Sequence, residues 1–223
     1  MHVINRDFDR VDDDIIGLFR SFSTPIISDV QSKNRWTMES QIKPVFQEAF
    51  IAGSALTIKA SPGDNLVLHR ALSLAHEGDV LVVDADGYTE AGIWGELMSL
   101  TATEKGLSGV VVDGAVRDIT EIEEIGFGVF SAAVSPKGSH KEVPGSINIP
   151  ITCGGVHVSP GDIVVGDANG VVVVPSANAE QVIERCERKK SAEANLRDSS
   201  DVTEEFSEKF EDVFRSMEDT DHS

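Results

Sequence analysis

The chain has 223 residues, 40% of them hydrophobic, and sets 38 acidic against 19 basic side chains for a net charge of −19. That charge opposes nonspecific attraction to nucleic acid or to an anionic membrane surface, and no run of roughly 18 apolar residues is present to span a bilayer. The only cysteines, Cys153 and Cys186, lie far apart and in no C-x-x-C pair, so neither a disulfide framework nor a zinc knuckle is supported.

After an acidic start, Ile15, Ile16, Leu18, Phe19 and Phe22 recur at helical spacing, with Asp12 to Asp14 at the positive end of the helix they predict. From Gly53, SALTIKA reads as a strand, SPGD as a turn with an N-cap, and NLVLHRALSLAHE as a helix closed by Gly78. DVLVVDA is the next strand. AGIWGELMSLTATEKG, with Ile93, Leu97 and Leu100 in phase, is expected to be a helix stopped at Lys105-Gly106, and GVVVD follows as a strand. Uniformly apolar strands alternating with helices predict a sheet covered by helices.

Beyond Phe127 the texture turns to strands and turns: GVFSAAV, SINIPITCGGVHV, DIVVGD and GVVVVP. The echo between GDVLVVDADG (78–87) and GDIVVGDANG (161–170) reads equally as a pseudo-repeat or as chance recurrence of G-D turns and valine strands. A long helix is expected from Ser176 through AEQVIERCERKKSAEANLRD. A second follows, with Val202, Phe206, Phe210 and Phe214 at four-residue steps, whose apolar stripe must pack on its own domain or on a neighbouring subunit. One domain, 1–198, with an acidic C-terminal helix and tail, 199–223, is the expected organisation. The acidic start MHVINRDFDRVDDD does not resemble a signal peptide, so a soluble, cytoplasmic protein is expected.

The stretch GVVVDGAVRD (109–118) delivers Arg117 and Asp118 to the carboxyl end of a strand, where α/β folds bind ligands. On spacing alone Asp118 reads first as a helix cap, with Glu121 completing a capping box, Arg117 as a surface side chain and Asp113 as a strand end. Gly95-Glu96 offers the competing account. The helix there can present free N–H groups to a carboxylate, an arginine opposite can grip the same anion, and Asp118 with Glu96 supplies hard oxygen ligands suited to Mg²⁺ or Mn²⁺. An anion cradle beside a divalent cation points to enolate chemistry.

Residues 109–118, with WGELM (94–98) and PGDIVVGDANGVVVVP (160–175), resemble the RraA-like superfamily, and the blocks AGSALTIKASPGDNLVLHRAL and EGDVLVVDADG keep their order over roughly residues 20–198. The superfamily contains 4-hydroxy-4-methyl-2-oxoglutarate aldolases and regulators of ribonuclease E activity. The resemblance implies an α/β class fold, a swivelling α/β/β sandwich with N- and C-terminal helices. It also implies a homotrimer or homohexamer with each active site in a cleft between subunits.

Carried over, the resemblance makes Asp118 the direct ligand of the metal and Glu96 a holder of metal-bound water. Arg117 would grip the pyruvyl group, and the amides of Leu97 and Met98, beside Gly95, the substrate carboxylate. Glu193, from a neighbouring subunit's helix, would hold a second water. It lies eleven residues after Val182, hence on the helix side of Val182 and Cys186, though an ordinary solvated glutamate reads equally well there. The implied activity is cleavage of a small α-keto acid to pyruvate with oxaloacetate decarboxylation through the same enolate, and no Schiff-base lysine is needed. Lys137, in the SPKG loop, is placed to approach the cleft. Gly128 and Ser131-Ala132 stand where many relatives carry a proline and an arginine-containing loop, which bears on the leaving half of the substrate.

Other motifs are weaker. EIGFG (124–128) resembles a nucleotide-binding glycine turn but closes a helix and precedes a strand, the wrong order. The histidines show no H-x-x-x-H pair, His69 and His157 read as structural, and Ser139-His140 has no acid partner or G-x-S-x-G elbow. The rival to an aldolase is a non-enzymatic binding protein like the ribonuclease E regulators, which are generally shorter and lack the long C-terminal helix.

Overall fold

The computed structural model describes residues 2–31 and 35–198, together with Glu211 and Arg215. Two short helices open the chain, α1 (Asp13–Phe19) and α2 (Thr24–Val30), followed by the two-residue β1 (Lys43–Pro44). A βα alternation comes next: β2 (Ile51–Lys59), α3 (Leu66–Leu74), β3 (Val80–Trp94), α4 (Glu96–Glu104), β4 (Gly109–Val116), α5 (Ile119–Ile125) and β5 (Val129–Val134). The later strands are β6 (Ser146–Ile147), β7 (Ile151–Cys153), β8 (Val156–Val158), β9 (Ile163–Asp167) and β10 (Gly170–Val174). A 3₁₀ turn over Ser176–Asn178 then leads into α6 (Ala179–Asp198).

The main sheet runs β1-β5-β4-β3-β2-β9-β10, with β6 added to β2. Its centre, β2 to β5, is parallel, and β9 joins antiparallel to residues 51–54 of β2 while β3 takes residues 55–59. One strand thus serves two sheet segments. Side-chain alternation sorts the core into layers. Leu56, Ile58, Leu81, Val83, Val110, Val112 and Val129 pack under α3, α4 and α5. Their neighbours Ala55, Val80, Val82, Val111 and Phe130 face the β7–β8 hairpin and the β9–β10 pair. The result is the helix, sheet, sheet order of an α/β/β sandwich. Valine runs form these strands because branched side chains suit a pleat buried on both faces. On the far side of β9 and β10, α1, α2 and α6 bury Phe19, Ile27, Val182 and Cys186.

Several expected elements shift. Ala91 to Trp94 belong to β3, and α4 begins only at Glu96, because Ile93 and Trp94 are buried in the sheet. Leu97 and Leu100, expected to form that helix's buried stripe with Ile93, are exposed, and Met98, Ser99 and Ala102 face the core instead. Helix α2, with proline in its first turn, was not anticipated; Pro25 after Thr24 was its signal. The N-terminal helix buries Ile16 and Phe19 as expected, while Leu18 is exposed. The two G-D echoes become β3 and β9, both beside β2, one parallel and one antiparallel. The stripe Val202, Phe206, Phe210 and Phe214 lies outside the described residues. No described helix is long and apolar enough to cross a membrane.

Candidate active site

Strand β3 is longer than its partner. It pairs in register with β4 from Val80↔Gly109 to Asp84↔Asp113, bulges three times, and returns so that Trp94 lies opposite Val116. Those bulges bring Gly95 beside Arg117 and Asp118. Arg117 N–H donates to the Trp94 carbonyl at 2.9 Å, closing the strand ends together. The Trp94 indole N–H donates to Ser99 Oγ at 2.8 Å, and the ring stacks on Phe127 at 6.2 Å, which fixes α4 to the strand that feeds it.

Asp118 occupies the N-cap position of α5 but is not its cap. Its backbone lies in the left-handed region, φ 57° and ψ 41°, and its side chain makes no bond to α5. The carboxylate turns instead toward α4, where Oδ2 accepts the Glu96 N–H at 3.2 Å and pairs with Arg117 Nε at 3.3 Å. Spacing alone favoured capping, but capping requires extended backbone, and Asp118 lacks it. A non-glycine residue in this region costs about 1 kcal/mol or more. The ion pair, with side chains 45% and 34% exposed, is screened by water and returns about 0–1 kcal/mol at most. Gly95 permits the arrangement, because a Cβ there would stand 2.5 Å from Asp118 Oδ2.

A cleft of about 180 Å³ opens at this point, lined by Gly95, Leu97, Met98, Arg117 and Asp118. The structure therefore brings together five of the expected site residues. The first-turn amides of α4 have no intrahelical acceptor, as at any helix start. Glu96 adjoins the cleft through its N–H, but its side chain is not among those lining it. Glu193 is not brought to the cleft of its own chain. It sits partly exposed on α6, pairing with Lys189 at 3.3 Å, and α6 packs on α1 and α2. Asp113 does not end its strand: it lies within β4, where Oδ2 accepts the Gly154 N–H at 2.9 Å.

The rest of the lining includes Asn65, His69, Gly138, Ser139 and Lys141, none of which was singled out for the site. His69 is an exposed residue of α3, not a core histidine; the buried phase of that helix is Val67, Leu68, Ala71 and Leu72, and position 69 falls outside it. Partial shielding of the ring, with the Lys141 charge adding to it, pushes the imidazole below its ordinary range, so it is neutral at pH 7. Lys141, not Lys137, is among the lining residues, and its charge is felt at His69; Lys137 contributes its carbonyl nearby, accepting the Gly92 N–H at 2.9 Å. Asn65 is 6% exposed, donates to the Ile93 carbonyl at 3.1 Å, and leaves Oδ1 buried without a partner among the described residues.

Arg117 and Lys141 against Asp118 make this cleft cationic in a protein of net charge −19, which focuses small anions into it. Its volume is below that of a drug-sized pocket, and a small organic acid is the fitting occupant. A larger hollow of about 530 Å³, lined by Asp13, Arg20, Glu77 and Ser108, lies at the opposite, amino ends of β3 and β4. Open α/β sheets bind ligands beyond the carboxyl ends of their strands, so the smaller cleft is the candidate site.

The RraA-like (Aldolase/RraA) family profile matches residues 24–173. This chain belongs to the RraA-like family. It is 39% identical over 178 residues, 80% of this chain and 84% of the other, to a Halalkalibacterium halodurans protein provisionally named 4-hydroxy-4-methyl-2-oxoglutarate aldolase. It is 36% identical over 127 residues, 57% of this chain and 77% of the other, to the 4-hydroxy-4-methyl-2-oxoglutarate aldolase of Thermus thermophilus. Among solved structures it resembles Streptomyces coelicolor RraAS2, described as an unusual member of the ribonuclease ES inhibitor RraA family. There the TM-score is 0.78 and the identity 26%, over 86% of this chain and all of that one. The RraA-like family thus joins proteins named as aldolases to proteins named as ribonuclease inhibitors, and the chemistry of the cleft has to separate the two.

Among the described residues no cluster of three or more His, Cys, Asp or Glu could hold a metal. A hard cation such as Mg²⁺ keeps several waters and takes one or two protein carboxylates. The Asp118 carboxylate fits that part: it is aimed into the cleft, and among the described residues only its Oδ2 is engaged.

Proposed function

We propose that this protein is a divalent-metal-dependent pyruvate aldolase. It cleaves 4-hydroxy-4-methyl-2-oxoglutarate or a close analogue, and it releases CO₂ from oxaloacetate through the same enolate. The observation that carries this reading is the strained Asp118, whose carboxylate forgoes its own helix and stands with Arg117 at the start of α4.

Asp118 would hold Mg²⁺ or Mn²⁺, which when bound supplies a Lewis acid beside the substrate's keto oxygen. The chain's own residues do the rest. The Leu97 and Met98 amides bind the substrate carboxylate, and Arg117 holds the keto end bidentately. Water ordered by Glu96, and by Glu193 from a neighbouring subunit, takes the proton of the 4-hydroxyl. The C3–C4 bond then breaks, its electron pair stays on the pyruvyl half as enolate, and the other half leaves as a ketone. Arg117 stabilises the negative oxygen that results, and loss of one such preorganised group costs about 3 to 4 kcal/mol.

A trimer or hexamer with the site between subunits is part of the proposal. Leu97 and Leu100 support it, being 75% and 40% exposed on the helix beside the cleft, where a neighbouring copy would cover them.

A lactate-dehydrogenase-coupled assay tests the reading. Pyruvate is expected from both substrates with Mg²⁺ or Mn²⁺, and none after chelation. No pyruvate from either substrate contradicts it and favours the second reading, a regulator of ribonuclease E, which the likeness to RraAS2 supports.

A further inference from the structure

Asp64 is 2% exposed and lies outside the cleft, yet it joins two of the cleft's walls. Its Oδ1 accepts the N–H of Leu66, the first residue of α3, at 2.9 Å. Its Oδ2 accepts two amides from a segment far away in the chain, Glu142 at 2.7 Å and Val143 at 3.0 Å. Backbone bonds reinforce the seam: His140 N–H donates to the Gly63 carbonyl at 2.8 Å, and Asn65 N–H to the His140 carbonyl at 3.0 Å. The wall on the α3 side carries Asn65 and His69, and the strap opposite carries Gly138, Ser139 and Lys141.

The strap is fixed at its other end as well. Ser135 N–H donates to the Val116 carbonyl and Gly92 N–H to the Lys137 carbonyl, both at 2.9 Å. Gly92 must be glycine there, since a Cβ would stand 2.8 Å from the Ser135 carbonyl and 2.9 Å from Arg117 Cβ. Between these anchors the strap passes beside Arg117, where a Cβ on Gly138 would stand 3.7 Å from Nη1. The Ser135 hydroxyl secures the near end, donating to the Glu90 carbonyl at 3.0 Å and accepting the Lys137 N–H at 3.4 Å, and Asp64 is the charged tie at the far end. Burial alone would raise the Asp64 carboxyl, but the Glu142, Leu66 and Val143 amides, with His140 adding to them, more than offset it and hold it below the ordinary aspartate range. It is therefore ionised at neutral pH, and its bonds to the amides are of the stronger, charge-assisted kind.

We propose that Asp64 is a positioning residue: by tying the 138–143 strap to the start of α3, it sets where Lys141 stands in the cleft it shares with Arg117, and so how tightly the cleft holds an anionic substrate. This rests on the reading of the cleft as an α-keto acid site. A carboxylate is suited to the task because it alone among short side chains can accept all three amides at once.

The test is a double-mutant cycle of Asp64→Asn and Lys141→Met, with amide hydrogen exchange alongside. Asp64→Asn keeps the shape but loses charge and acceptors. KM for 4-hydroxy-4-methyl-2-oxoglutarate is expected to rise about tenfold, with kcat within about threefold of wild type. Lys141→Met is expected to raise KM by itself, and in its background Asp64→Asn should add less than about twofold. The Glu142 and Val143 amides should exchange faster in Asp64→Asn, while those of Val82 and Val111 in the central strands keep their protection.

Fully additive effects, a loss confined to kcat, or unchanged exchange at Glu142 and Val143 would overturn the proposal. An unchanged KM in Lys141→Met would do the same and needs no fold-sensitive variant. Should wild type make no pyruvate at all, the aldolase reading fails. The exchange arm, with pyruvate affinity by calorimetry in the same four proteins, then still decides the role of Asp64.

Discussion

The two ends of the parallel sheet differ in the way they treat an aspartate. At the amino end, Asp79 is 1% exposed and receives Arg10 Nε at 2.8 Å, Arg10 Nη2 at 2.9 Å and the His76 N–H at 2.9 Å. The turns around it use glycine wherever a left-handed backbone is needed, as at Gly78 (φ 82°) and Gly106 (φ 72°). At the carboxyl end, Asp118 takes the left-handed backbone itself, is a third exposed, and keeps one carboxylate oxygen unengaged among the described residues. Asn65 beside it keeps a buried amide oxygen unpartnered. The amino end also has the larger hollow, so size does not mark the site; what sets the cleft apart is a left-handed carboxylate and an unmet amide oxygen lining one cavity together with Arg117.

The contrast breaks most visibly at Asp118. Asp118→Asn should lower kcat for pyruvate release by a hundred- to thousandfold or more, about 3 to 4 kcal/mol, with a melting temperature near wild type. Asp118→Gly should be equally inactive yet more stable, by roughly 1 kcal/mol, because glycine relieves the left-handed backbone. Asp79→Asn should do the reverse. It leaves Arg10 without its partner carboxylate and should cost about 2–4 kcal/mol in denaturant unfolding, with kcat per folded molecule unchanged.

Gly95→Ala sharpens the comparison from the neighbouring strand. Its Cβ would press on Asp118 Oδ2, so activity should fall about tenfold or more with little loss of stability. The proposed inter-subunit site predicts that inactive Arg117→Ala and Glu193→Ala chains regain some activity when mixed into verified hybrids; hybrids without activity would place Glu193 outside the site.

The smallest effect is in acid. The amides of Glu142, Leu66 and Val143 outweigh burial at Asp64, and those of Thr24 and Asn169, with the Thr24 hydroxyl, outweigh it at Asp167, so both carboxyls lie below their ordinary values. A lowered folded-state pKa stabilises the fold above the unfolded value of about 3.9 and is lost as pH falls through the folded value. The melting temperature should therefore fall below about pH 4, and Asp64→Asn should flatten that slope.

The strands were legible in the sequence because valine runs admit only a pleat buried on both faces, and the Arg117-Asp118 pair was legible by its place at a strand end. What failed was local. The in-phase Ile93 and Leu97 mimicked one helix, although a bulged strand ends between them at Trp94. The spacing of Asp118 and Glu121 imitated a capping box, but spacing carries no φ, and φ decides what Asp118 does. Asn65, His69 and Lys141 reach the cleft from α3 and from a strap held by Asp64, through pairings between residues some 75 apart that no local pattern encodes. Position 69 was the exception, since its phase against Val67, Leu68 and Ala71 already pointed it away from the core.

The most direct test is titration of Mn²⁺ into wild type and Asp118→Asn with pyruvate present, followed by electron paramagnetic resonance. The account predicts saturable binding to the wild type that pyruvate tightens, and its loss in the variant. Equal binding by both proteins would contradict it, leaving the strained carboxylate without a metal to hold.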